Sequence, residues 1–204
     1  MSRRIFICGP SGTGKTTLAK VLEEYYELGK FVSGSSKALW DKYGIKCHRD
    51  IIERTVMDPK WGFDFQMELL DLRISLFEVN DDINIISDRS LVDNVIYFTL
   101  QNSPFEVTLN CEAYFKKAFS SFRKGDWLIV RYYPAQVTGF DNFIENDGMR
   151  LTNPFYHIAY QSLLERELIG LMEAGINVIK HPYVGTQLDR KQVDKLVNLI
   201  KDNG

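Results

Sequence analysis

The segment Gly9-Pro10-Ser11-Gly12-Thr13-Gly14-Lys15-Thr16 fits the pattern G-x-x-x-x-G-K-[ST], and its flanks place it between a strand and a helix. Ahead of it Ile5-Phe6-Ile7-Cys8 is a short apolar run of strand character; behind it Leu18, Val21 and Leu22 share one helical face. The glycines let the backbone bend until successive N–H groups converge on an anion at the positive end of a helix. In such a loop Lys15 reaches the β- and γ-phosphates of a nucleoside triphosphate, and the Thr16 hydroxyl can ligate magnesium. Gly9, Pro10, Ser11, Gly12, Thr13, Gly14, Lys15, Thr16 and Thr17 are therefore the expected nucleotide contacts, with ATP and Mg2+ as the expected cofactors. The competing reading, an ordinary glycine-rich turn, leaves the strand and helix on either side unexplained.

Beyond the loop, apolar runs alternate with amphipathic segments, the plan of an α/β protein with a parallel sheet. Lys30-Phe31-Val32-Ser33 reads as a weak second strand, followed by a short helix over 35–43 capped by Ser35 or Ser36. Residues 64–79 carry Phe65, Leu69, Leu72, Leu76 and Val79 at spacings of three and four, so a long amphipathic helix should lead into the strand Ile83-Asn84-Ile85-Ile86-Ser87. Helices are expected over 91–100 and 111–122, and Gly125-Asp126 turns the chain into the strand Trp127-Leu128-Ile129-Val130-Arg131-Tyr132. The polar, glycine-punctuated stretch 134–153 is too long for a plain connection and is expected to be a lid. Pro154 opens a helix that stops at Gly175, Ile176 to Ile179 form the last strand, and Asp189 caps a terminal helix. No repeat or linker interrupts the chain, so one domain over 1–204 is expected, with the lid inside it.

The formal net charge is −2, which leaves no overall basic excess to hold the molecule on nucleic acid; such a contact would need a local patch. Cys8, Cys47 and Cys111 are scattered and form no C-x-x-C pair, the pattern of reduced, space-filling thiols in a cytosolic protein. No apolar stretch approaches the ~18 residues of a membrane span. Met1-Ser2-Arg3-Arg4 runs straight into the first strand without the apolar region of a signal peptide. The expectation is a cytoplasmic protein (host cytoplasm if phage-encoded) with no membrane partner. His48, His157 and His181 lie far apart without Cys or carboxylate companions at ligand spacing, which argues against a metal site built on them.

A second element carries chemistry. Ile85-Ile86-Ser87-Asp88-Arg89-Ser90 is an apolar strand ending in a carboxylate, and in an open α/β sheet the carboxyl ends of the strands line the ligand crevice. Asp88 should thus face the same site as Lys15, where it can hold magnesium or accept the proton of an attacking hydroxyl. Arg89 can clamp a phosphate with its fork of donors. A plainer reading makes Asp88 only the cap of the following helix. Further along, Lys37, Trp40, Lys42, Tyr43, Lys46, His48, Arg49, Arg54, Lys60 and Trp61 interleave basic and aromatic side chains, suited either to a nucleotide or nucleic acid or to a solvated face over a core.

Glycine loop, strand ending in Asp88-Arg89-Ser90, helix with Asp93 and Tyr97, and a late Asp147-Gly148-Met149-Arg150 occur in the order seen in P-loop nucleoside and nucleotide kinases. The chain resembles the thymidylate-kinase, deoxynucleoside-kinase and nicotinamide-riboside-kinase branches in outline, and small phage-type kinases, including those acting on 5-hydroxymethyluracil in DNA. That resemblance implies a three-layer P-loop nucleoside triphosphate hydrolase fold with a five-stranded parallel sheet. It also implies Asp88 near magnesium or the acceptor, Arg89 on a phosphate, and Arg150 in a lid closing over ATP. The implied reaction moves the γ-phosphate of ATP to a hydroxyl of a pyrimidine nucleotide or nucleoside, free or as a modified base in phage DNA. One departure matters: deoxynucleoside and nicotinamide-riboside kinases tend to carry an acidic residue after the second strand, where this chain has Val32-Ser33-Gly34-Ser35-Ser36-Lys37. A mechanical ATPase and a nucleotide-dependent binding module are the alternatives. The first ordinarily needs an acidic residue beside the magnesium aspartate, where Arg89 stands; the second finds no N-K-x-D guanine signature.

Overall fold

The computed structural model describes residues 2–34, 36–101, 107–133, 153–183 and 188–202. Strands β1 (Arg4–Cys8), β2 (Lys30–Val32), β3 (Ile85–Ser87), β4 (Trp127–Tyr132) and β5 (Asn177–Pro182) form one sheet in the order β2-β3-β1-β4-β5. Every neighbouring pair is parallel. The helices are α1 (Lys15–Glu24), α2 (Lys37–Tyr43), α3 (His48–Met57), α4 (Pro59–Val79), α5 (Leu91–Gln101), α6 (Val107–Ser120), α7 (Pro154–Glu173) and α8 (Arg190–Asp202).

The central strand shows how the layers arise. All five residues of β1 are buried, because both faces of a parallel sheet carry helices. Side chains alternate along it. Ile5 and Ile7 join Leu18, Leu22, Val193 and Ile200 in a core under α1 and α8. Phe6 and Cys8 point the other way, into a larger core with Leu70, Val92, Tyr114, Tyr160 and Leu164 from α4 to α7. This is the three-layer α/β arrangement expected from the sequence.

A third, smaller cluster of Leu39, Ile45, Ile51, Phe65 and Leu69 holds α2 and α3 on α4, with Trp40, Tyr43 and Trp61 packed against it. Helix α3 is not among the elements expected from the sequence. Only Ile51 and Thr55 of its ten residues are buried, too few to write an apolar stripe. Its start is fixed by a capping box in which Asp50 accepts from the Lys46 and Cys47 amides at 2.7 and 3.2 Å. Helix α4 begins five residues before its expected start: Pro59 stands at N1 and the Asp58 side chain accepts from the Trp61 amide at 3.1 Å. The two helices cross closely at Gly62, where a Cβ would lie 2.4 Å from the Thr55 Cγ2. Ser36 occupies the N-cap of α2 without a side-chain cap bond, and Asp189 caps α8 by accepting from the Lys191 amide at 3.0 Å. The stretch expected to be a lid, Arg150 included, lies outside the described residues apart from Asn153, the N-cap of α7.

Candidate active site

The carboxyl ends of β1, β3 and β4 converge on the glycine loop. Four of its carbonyls are tied down from within the protein. Lys15 Nζ donates to Gly9 O and Pro10 O at 2.8 and 2.6 Å, and Thr13 Oγ1 also donates to Pro10 O at 2.9 Å. Tyr133 Oη donates to Ser11 O at 2.8 Å, and Arg131 Nε to Thr13 O at 2.9 Å. With its acceptors held this way the loop leaves amides free to serve a ligand, and α1 adds the unpaired N–H groups of its first turn. Gly9 admits no other residue: at φ 137° a Cβ would sit 1.9 Å from Arg131 O. Gly14, at φ 69°, is the left-handed residue that opens α1.

Asp88 closes the site from the end of β3. Its Oδ2 accepts from Thr16 Oγ1 at 2.5 Å and its Oδ1 from the Gly34 amide at 3.2 Å. The plainer role of helix cap is filled instead by Ser90 and Asp93: Asp93 Oδ2 accepts from the Ser90 amide at 2.6 Å, and Ser90 Oγ accepts from the Asp93 amide at 3.3 Å. Asp93 is fully buried and does more than cap. Its Oδ1 accepts from the Gly9 amide at 3.3 Å and from Tyr160 Oη, joining the loop, α5 and α7 through one carboxylate.

Burial pushes the Lys15 ammonium well below its ordinary range and Arg89 adds to this, while Asp93 and Asp88 oppose it. Burial and then Asp93 push the Cys8 thiol up. For Arg89 burial works against the charge, but Tyr97, Asp93, Tyr160 and Asp88 outweigh it and the guanidinium is held firmly protonated. On the far side of the loop, Arg131 Nη1 meets His181 Nδ1 and donates to Pro182 O at 2.8 Å, and its guanidinium lies 5.4 Å from the Tyr183 ring centroid. Burial followed by the Arg131 charge lowers His181 to about 4.

Beside the loop lies a second chamber of about 40 Å³, room for two or three waters. Its walls include Trp40, His48, Gln66, Arg73, Arg89 and Tyr97, from α2, α3, α4, the end of β3 and α5. Tyr97 also reaches the loop, its Oη lying 3.5 Å from Ser11 Oγ. A drug-sized occupant takes several times that volume, so the walls would have to part to admit one. Gln66 Nε2 donates to Gln101 Oε1 at 2.6 Å, and Arg73 Nε donates to Gly34 O at 3.1 Å. Gln66, Arg73, Gln101, Arg131 and Tyr160 are not among the site residues expected from the sequence. For two of them a signal existed: Gln66 and Arg73, seven apart, sit among the buried positions Gly62, Phe65, Leu69, Leu70 and Phe77 of α4, polar groups where a helix keeps its apolar stripe. Of the basic strip, Lys42 pairs with Glu68 at 2.5 Å, Arg54 donates to Tyr43 O at 2.8 Å and lies over the Trp61 ring, and Lys60 pairs with Asp64 at 2.5 Å.

Residues 4–187 match the family of the AAA domain. The chain belongs to that family. Among solved structures, NadR in complex with NR is 15% identical over 99% of this chain with a TM-score of 0.64, and the chain spans about half of it, 51%. Deoxyadenosine kinase from M. mycoides, with dCMP and dCDP bound, is 17% identical, with 98% of this chain and 99% of that one covered and a TM-score of 0.61. Thymidylate kinase from Ehrlichia chaffeensis is 11% identical over 98% of each chain, at 0.56. At these identities the likeness is one of fold, the three-layer α/β P-loop fold. No curated protein matches the chain.

Proposed function

We propose that this chain is a phosphotransferase that moves the γ-phosphoryl group of ATP to an oxygen of a nucleotide- or nucleoside-type acceptor. The observation that carries this reading is the shared wall between the glycine loop and the chamber: Asp88 bonds to Thr16 of the loop, the adjoining Arg89 lines the chamber, and Tyr97 borders both. Phosphoryl transfer needs little covalent chemistry from the protein and much positioning, so two adjoining pockets with charged groups between them suit it. Lys15 would exchange its loop carbonyls for the β- and γ-phosphates. Arg89 would hold the acceptor or the transferred phosphate, and Arg150, within 134–153, would close over ATP. Thr16 Oγ1 and Asp88 Oδ2 are the hard oxygen donors that Mg2+ accepts while keeping most of its waters. Bound there, the ion would neutralise charge on the phosphates. Asp88 serves either that ion or the proton of an acceptor hydroxyl. Within this reading the whole of 1–204 is one catalytic domain with 134–153 as its lid. The pairing of Lys42 with Glu68, of Lys60 with Asp64 and of Arg54 with the Tyr43 carbonyl offsets part of the basic strip, which favours a small acceptor, a pyrimidine nucleotide among the candidates, over modified duplex DNA.

The test is ATP consumption with and without a panel of nucleosides and nucleoside monophosphates, the product identified by mass. A kinase idles until an acceptor is added; steady hydrolysis of ATP without one would instead mark an ATPase. Lys15→Met should lower transfer by at least ~10² while leaving the melting temperature near that of the wild type.

A further inference from the structure

We infer that the acceptor enters the chamber as a phosphate-bearing nucleotide, its phosphate gripped by Arg73 and Arg89 and its base set among the aromatic walls and Gln66. This rests on the phosphotransferase reading and narrows it. The charge of the chamber carries the inference. Arg73 and Arg89 both line it, and none of the described lining residues is a carboxylate. Two guanidiniums facing one poorly hydrated space repel each other, and an anion between them would relieve that. Arg89 Nη1 is buried with no hydrogen-bond partner, an orphan of the kind that charge-assisted bonds to a phosphate oxygen satisfy. Both side chains are fixed through Gly34: Arg73 bonds its carbonyl, and a Cβ there would meet the Arg89 Cβ at 2.5 Å. The other end of the chamber suits a base. Gln66 Oε1 is likewise buried and unpartnered, and Trp40, Phe65 and Tyr97 offer ring surfaces.

Reaction chemistry points the same way. A nucleoside hydroxyl must lose its proton to a base as it attacks, whereas a phosphate monoester, with a second pKa of about 6, already presents an ionised oxygen at neutral pH. The segment after β2 offers no carboxylate, and an Asp88 that serves the ion beside Thr16 is not free to act as that base. In the proposed step an oxygen of the dianionic acceptor phosphate bonds to the γ-phosphorus of ATP. The bond from that phosphorus to the β–γ bridging oxygen breaks, its electron pair leaves with ADP, and a nucleoside diphosphate forms with no net proton transfer.

The experiment compares thymidine, deoxycytidine, deoxyadenosine and deoxyguanosine with their 5′-monophosphates, as acceptors with ATP and magnesium and, by calorimetry, as ligands without ATP. At least one monophosphate should bind and be turned over ~100-fold or more better than its nucleoside, the loss expected when charged hydrogen bonds are removed. Arg73→Met should raise KM for the monophosphate ~10–100-fold with KM for ATP unchanged. Because Arg73 is buried, Arg73→Lys is the companion that keeps the charge; it should fold and still favour monophosphates while losing part of the affinity. Nucleosides used as well as monophosphates would overturn the inference and leave the kinase reading standing. Acceptor-independent hydrolysis together with no calorimetric binding of any monophosphate would overturn both.

Discussion

Asp88 accepts from two groups, and neither is an amide of the helix that follows it: Thr16 Oγ1 at 2.5 Å and the Gly34 amide at 3.2 Å. Asparagine in its place keeps an oxygen for one of them and removes the charge. If Asp88 only braced the loop, Asp88→Asn would leave turnover within a few-fold. If it holds the ion or takes a proton, turnover should drop by ~10² or more, the lower end for a positioned acid–base group, while stability stays within about 1 kcal/mol. Measuring kcat beside the denaturant midpoint separates the two, and an enzyme within tenfold of wild type at equal stability would remove Asp88 from the chemistry. The residue was legible in the sequence because a carboxylate ending a buried strand has one place to go in a parallel sheet. Arg73 was not, since its meaning depends on Gly34 and Arg89, which only the folded chain brings to it.

Between elements, Asp93 is a buried link. One buried carboxylate accepts from the amides of Gly9 and Ser90, from Ser90 Oγ at 2.8 Å and from Tyr160 Oη, so β1, α5 and α7 share it. Asp93→Asn puts an NH2 against donors in a site closed to water. It should destabilise the fold by ~3 kcal/mol and, by releasing the Gly9 amide, weaken ATP binding as well. Tyr160→Phe removes a single donor and should cost about 1 kcal/mol. Urea midpoints and ATP affinity of the two variants check this; a midpoint for Asp93→Asn equal to that of Tyr160→Phe would show the carboxylate to be a bystander. Elements with strong periodicity or a Gly/Pro boundary, such as β4 and α7, could be read from the chain almost to the residue. Helix α3 could not, because its stability comes from packing on α4 through Ile51 and Thr55 while its other residues are exposed or half-buried.

Across the molecule, a parallel sheet with helices packed on it follows from apolar runs alternating with amphipathic segments, whereas the chamber joins α2 to α5 and has no signature in any one of them. The same holds for the contact that should set the protein's acid limit. His181 on β5 lies beside Arg131 on β4 in register, and its Nδ1 faces the guanidinium, so the ring proton belongs on Nε2. Burial and that neighbouring charge hold it at about 4, with Asp189 a weaker opposing influence, against ~6.5 in an unfolded chain. Between those values the unfolded chain binds a proton that the folded one does not. The contribution is therefore intact above pH ~6.5 and is lost as pH falls toward 4, by up to about 3 kcal/mol. His181→Gln cannot titrate and keeps an acceptor for Arg131. The variant should match the wild type or be slightly less stable at pH 7 and overtake it by pH 4.5, as read from urea midpoints at each pH. Parallel curves for the two proteins across that range would mean that His181 protonates as freely folded as unfolded, and that the brace between Arg131 and the glycine loop does not depend on a neutral imidazole.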